Sequence, residues 1–239
     1  MNLGKCLVGS LVLVAATGLT ACGGDAKKPA SSSGSSAASS SAAASSSASS
    51  TTHAAPANYD ITRIGGAKTT LPAGFAADDI PADTVNQEQL DAAGIGGLGT
   101  GTTTTVTPAE CAVVLKPFGP VGVGAKAHGF MAASRPNVVV VMAAQSDKPI
   151  GAISQSGCDH FSAKSASGVT ATVDSVPGPE ISGVKTAGHT AHVTADGTTT
   201  EETTFTAALD DKTIVVVQGD IAPATMSDVL VKAVAAVKG

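Results

Sequence analysis

The chain has 239 residues with a formal net charge of -5, from 14 Lys and Arg against 19 Asp and Glu, and 43% of its residues are hydrophobic. It carries no Trp, one Tyr and five Phe. The acidic balance lacks the basic footprint of a nucleic-acid binder, and so few aromatic rings argue against the stacking platforms of single-strand and carbohydrate binders.

Met1 to Lys5 carry one positive charge and no acid, and the run CLVGSLVLVAATGL from Cys6 to Leu19 is apolar and uncharged. A basic start followed by a short apolar core is the layout of a secretory signal peptide. The run falls short of the ~20 apolar residues that span a bilayer. It ends in L-T-A-C, Leu19 to Cys22. That arrangement resembles the bacterial lipobox, in which the cysteine sulfur accepts a diacylglycerol before the leader is cut off ahead of it. Two or three acyl chains suffice for stable anchoring, each buried CH2 contributing ~0.8 kcal/mol. The expectation is therefore a signal peptide over 1–21, a lipidated Cys22, and attachment to the extracytoplasmic face of the cell membrane.

Residues 22–57 are dominated by Ser, Ala, Gly, Thr and Pro, with SSSGSSAASSSAAASSSASSTT at their centre. No apolar periodicity is present to repay the entropy of ordering, so this stretch reads as a disordered tether with a mean reach of ~30 Å. Residues 58–239 then have the length of one domain. Of the four cysteines, Cys6 leaves with the leader and Cys22 takes the lipid. Cys111 and Cys158 remain as a single pair in an oxidising compartment, which predicts a disulfide.

Within the domain, Tyr59 to Ile64 reads as a first strand and Thr70 to Phe75 as a turn. V-N-Q-E-Q-L-D-A-A-G predicts a short helix ended by Gly94. Gly94 to Gly101 is rich in glycine but is followed by threonines rather than a helix or a P-loop lysine, so a mobile loop and not a phosphate cradle is expected, and the whole stretch G-I-G-G-L-G-T-G-T-T-T-T reads as flexible or edge-like. Thr107-Pro108-Ala109-Glu110 has the form of a capping box with proline at the first helical position, predicting a helix to about Lys116 that carries Cys111. Strands follow at 137–144, 168–176, 188–195, 202–209 and 212–219, with hairpin turns at Asp196-Gly197 and Asp210 to Lys212. Met226, Val229, Leu230, Ala233, Val234 and Val237 then repeat at helical spacing. Consecutive strands closed by a helix predict an α+β domain built on an antiparallel sheet.

No stretch carries a catalytic signature: G-x-S-x-G, H-E-x-x-H and S-x-x-K with its partners are all missing. His189 and His192 would share a helix face and could clamp a metal there, but the alternating sequence around them makes a strand and sends them to opposite faces. His128 is a lone histidine expected at the surface or core edge. Asp78-Asp79, Glu201-Glu202 and Asp210-Asp211 are adjacent acids, which point apart. Neither enzyme, cofactor nor metal is expected. Three non-enzymatic roles stand open: a sensor or ligand-binding domain, a carrier of lipid or another apolar molecule, and a structural envelope protein acting through protein partners.

L-P-A-G-F at Leu71 to Phe75, V-T-P-A-E-C at Val106 to Cys111, L-K-P at Leu115 to Pro117, G-C-D at Gly157 to Asp159 and V-V-Q-G at Val216 to Gly219 resemble mycobacterial-type envelope lipoproteins of an uncharacterised family labelled sensor-domain-containing. That family is similar in layout to the extracellular sensor domain of PknH-type receptor kinases. The resemblance implies an α+β domain with a disulfide-tied helix and a cleft for an unidentified ligand. The chain departs from the kinase pattern in having one cysteine pair instead of two, and no tryptophan before the later cysteine. No catalytic residue carries over.

Overall fold

The computed structural model describes residues 59–95, 98 and 104–239. The expected leader, Cys22, the tether and most of the glycine-rich loop lie outside them. Among the described residues, nine strands form one antiparallel sheet. They are β1 (Ala76–Thr84), β2 (Thr104–Thr107), β3 (Lys126–Ser134), β4 (Asn137–Gln145), β5 (His160–Ser165), β6 (Thr170–Val176), β7 (Lys185–Ala195), β8 (Thr198–Ala208) and β9 (Thr213–Gly219). Their order is β1-β3-β4-β9-β8-β7-β6-β5-β2, so β1 and β2 are the edges. Two α-helices, α1 (Gln87–Ala92) and α2 (Pro223–Lys238), and short 3-10 segments complete the described chain. The antiparallel sheet, the Cys111–Cys158 disulfide and the C-terminal helix are as expected, but not the α+β class. The helical share is small, and the fold is mostly β.

One face of the sheet is covered over β3 by a 3-10 helix and over β4, β9 and β8 by α2. Its Met226, Val229, Leu230, Ala233, Val234 and Val237 are all buried against Phe130, Val139, Val141, Phe205, Val215 and Val217. This helix forms where its period places it, and each large side chain so buried contributes roughly 1.5–3 kcal/mol. Beside it packs the 3-10 helix, Ile61–Thr70, where a strand was expected. Ile61, Ile64 and Ala67 are the buried residues, three apart, which is the 3-10 period rather than the strand period. Asp60 starts this helix by accepting hydrogen bonds from the Thr62 amide (3.0 Å) and hydroxyl (2.6 Å). Those bonds, more than the charges of Arg63 and His128, hold its carboxyl below the usual range.

The opposite face carries two further cores. One gathers Val85, Leu90, Phe118, Val121, Ala127, Ala144, Ile214 and Val216. The other gathers Phe161, Ala163, Ala171, Val173, Ala191 and Val193 under the disulfide. Cys111 and Cys158 are joined with an S–S distance of 2.00 Å, 47 residues apart. The helix that holds Cys111 is shorter than expected: Thr107 ends β2 by pairing with Ser162. Pro108 has extended dihedrals and makes no side-chain cap, and only Ala109–Val113 turns, as a 3-10 segment.

Five expected strands are present as β4, β6, β7, β8 and β9; the edge strand β2 starts within the threonines of the stretch expected to be flexible or edge-like, and β1, β3 and β5 are strands that the pattern did not mark. In β1 an edge position admits Asp78, Asp79 and Pro81, which a central strand would not accept. In β3 alanines and a glycine take the place of branched residues. The hairpin at Asp196-Gly197 has φ of 49° and 76°, with Ala195 paired to Thr198, the positive φ pair that a two-residue hairpin turn requires.

Candidate functional site

An apolar pocket of about 330 Å³ opens on the face opposite α2, lined by Ile80, Pro81, Asp83, Val85, Gln89, Leu90, Ala93, Phe118, Ala127 and Met142. Its floor is the sheet, and its walls come from three local devices. The first is an irregularity in β1: Ile80 pairs with Gly129 and Asp83 with Ala127. One extra residue on the edge strand bulges it around Pro81, leaving Ile80 and Asp83 at the rim. The second is α1, fixed at its start by a reciprocal cap. The Gln89 amide donates to Asn86 Oδ1 at 2.9 Å, and the Asn86 amide donates to Gln89 Oε1 at 2.8 Å. Two backbone bonds tie the preceding Val85 to the loop before β3, at 2.8 Å to Ala125 and 2.9 Å from Gly124. Leu90 and Val85 therefore face the sheet. The third is Phe118, held in a turn closed by the Gly119 amide donating to the Lys116 carbonyl at 2.8 Å.

Next to this pocket lies a second depression of about 380 Å³ that shares Ala93, Phe118 and Met142 with it. It runs over Val138 and Val140 to Glu202, Gln218 and Asp220. Gln218 Nε2 donates to Glu202 Oε1, and Asp220 Oδ1 accepts from the Val138 amide at 2.6 Å. Glu201 turns its carboxylate to the other face of the sheet, 3.7 Å from His192. Val138 is 38% exposed and Met131, on the same face, 45% exposed, so apolar side chains continue out of the groove onto open sheet.

The residues singled out from sequence distribute as follows. Cys111 and Cys158 are bonded and buried, and brace the loop over the second core. Cys22 lies outside the described residues. His189 is buried on the face that carries the pocket and His192 is exposed on the other, as strand alternation requires. Burial pushes the His189 imidazole below its usual pKa, because the low-dielectric surroundings disfavour the charged ring. It lines a narrow crevice with Thr204 and Thr206. The Thr204 hydroxyl and His128 Nδ1 are buried with no hydrogen-bond partner among the described residues. Asp79 pairs with Lys68 at 2.8 Å on the α2 side, and Asp210 closes the β8–β9 turn by accepting from the Lys212 and Thr213 amides. Among the described residues no three His, Cys, Asp or Glu side chains are grouped to hold a metal ion. No helix there is long and apolar enough to cross a membrane.

The pocket residues themselves were not marked by the sequence. Leu90 and Phe118 belong to no motif, and only the bulge in an unmarked strand and the approach of two loops make them walls. The one signal within reach was the Asn86/Gln89 pair, which marks the start of α1.

A mostly-β domain made of one nine-stranded antiparallel sheet, with a helix on one face and a groove on the other, is the class these features define. The chain belongs to a family described as a domain of unknown function, DUF5642, which it matches over residues 60–238. A crystal structure of an uncharacterised protein from Mycobacterium smegmatis, the ortholog of Rv0999, has a similar fold with a TM-score of 0.61 at 20% identity. The match covers 76% of this chain and 98% of that one. No curated protein matches the chain significantly.

Proposed function

We propose that the chain is an exported, lipid-anchored protein whose domain binds a small apolar or amphiphilic molecule at the cell envelope, without catalysis. The observation that carries this reading is the apolar pocket of about 330 Å³, roughly twice the ~150 Å³ of an apolar cavity that stays dry and takes up benzene. Largely apolar concavity with a few polar groups at the rim is the usual character of a small-molecule site. The L-T-A-C motif at Leu19 to Cys22 and the Ser/Ala-rich tract behind it support the anchor. The resemblance to envelope lipoproteins and to PknH-type sensor domains supports the same setting.

A photoreactive, uncharged alkyl diazirine tests the pocket on the full chain. Peptide mapping after irradiation should place its adducts on segments containing Leu90 and Phe118. Ala93→Trp, which fills the space shared by the two depressions, should remove most of the labelling while the unfolding midpoint stays within about 1 kcal/mol. Labelling spread evenly over the surface, or unaffected by Ala93→Trp, would overturn the reading. A second reading, docking of an envelope protein, rests on exposed Met131 and Val138 beside the groove. A protein crosslinked reproducibly through position 131 or 138, and not through 90, would favour it.

A further inference from the structure

The apolar pocket and its neighbour differ in charge as well as polarity. Among the described residues lining either of them there is no Lys, Arg or His, while Asp83 stands at the rim of the first and Glu202 and Asp220 lie in the second. Of the three acids along the second depression, Glu201 turns to His192, while Glu202 is half-buried and bonded to Gln218, and Asp220 is exposed and holds the start of β4. From Ile80 and Leu90, past Phe118 and Met142, to Glu202 and Asp220, the surface changes from hydrocarbon to carboxylate along one line. An alkyl chain in the first pocket would therefore carry whatever head group it has into the second. A carboxylate or phosphate head would meet like charges there, and charges of one sign brought together near a low-dielectric surface discriminate strongly between partners.

We infer that the groove takes a single-chain amphiphile with a positively charged nitrogen head, its chain over Leu90 and Phe118 and its head at Glu202 and Asp220. This rests on the pocket reading above and names the ligand class for it. The alkyl chain supplies affinity through burial, and the two carboxylates select the head by charge. Gln218 keeps the Glu202 carboxylate turned toward β9, and so toward the groove.

The test uses the full chain labelled by the uncharged alkyl diazirine, with three competitors of equal chain length below their micelle concentrations: dodecyltrimethylammonium, dodecanoate and dodecyl maltoside. The ammonium compound should displace the label from the Leu90 and Phe118 peptides at a concentration about tenfold lower than dodecanoate. Glu202→Gln together with Asp220→Asn should close most of that gap and leave competition by dodecyl maltoside unchanged, which shows that the groove is intact. Asp147→Asn, an exposed acid away from the groove, should leave the gap as it is, separating local selection from net charge. Dodecanoate competing as well as the ammonium compound, or Asp147→Asn closing the gap equally, would overturn the head-group assignment and leave the pocket standing. Absence of label from the Leu90 and Phe118 peptides would overturn the pocket reading itself.

Discussion

Gly129 lies in β3 opposite Met142, and a Cβ there would come within 2.3 Å of the Val141 carbonyl and 2.6 Å of Met142 Cγ. The missing side chain lets Met142 fold over the strand and form the ridge shared by the two depressions. Gly129→Ala should cost about 2 kcal/mol through overpacking, read as a lower urea midpoint, and should reduce labelling of the groove. His189 yields a second residue-scale prediction. Its folded-state pKa lies below the ordinary value because it is buried, so on acidification the unfolded chain takes up the proton first. Stability linked to this group is full above the ordinary pKa of ~6.5 and falls as pH drops below it. His189→Asn removes that dependence. Between pH 7 and pH 5 the wild-type chain should lose more unfolding free energy than the variant, and equal losses in denaturant titrations would show that His189 does not contribute.

At the level of elements, the disulfide and α1 do different work. The Cys111–Cys158 bond closes a loop of 47 residues, and in the chain-entropy model such a constraint on the unfolded state is worth about 4 kcal/mol. Cys111→Ala with Cys158→Ala should lower stability by about 2–4 kcal/mol, measured by denaturant unfolding, and leave the groove in place, because the bond braces the β5–β6–β7 core and not the pocket. The short helix α1 has the opposite profile. Asn86→Ala removes one half of its reciprocal cap, at about 1 kcal/mol. Since Val85, Gln89 and Leu90 are pocket walls, labelling should fall more than global stability does.

The same contrast separates what could be read from the residues from what could not. Strands with continuous branched runs, such as Val138 to Val141 in β4 and Ile214 to Val217 in β9, and the helical repeat of α2 were legible because burial writes itself directly into the sequence as an apolar run or a period. Tyr59 to Ile64 misled because two isoleucines within six residues fit a strand as well as a 3-10 turn. The period of three becomes visible only with Ala67 included. The capping pattern at Thr107 gave way to tertiary pairing, since Thr107 is bonded into the sheet against Ser162. The strand β1 escaped notice because an edge tolerates proline and paired acids, and its bulge is what makes the pocket. A groove built from an irregular edge and two loops has no period to announce it.

Across the molecule, one sheet separates two surfaces of unlike character. The face under α2 is closed by a continuous core from Ile61 to Val237, whereas the opposite face is covered in two patches with an open groove between β1 and β9. A domain that needed only stability could have closed both. On the proposed reading the open face serves the ligand, and the N-terminal motif sets where the ligand is met. On the same reading Cys22 is the residue on which that placement turns, since in a lipobox the cysteine sulfur is the atom that accepts the lipid. Metabolic labelling with an alkyne-bearing palmitate should mark the wild-type chain and also the Cys111→Ala, Cys158→Ala double variant, which keeps Cys22. The Cys22→Ser variant should carry no label, because a seryl oxygen does not take the thioether-linked diacylglycerol. Label retained in Cys22→Ser would place the acyl chains on another residue and refute Cys22 as the anchor.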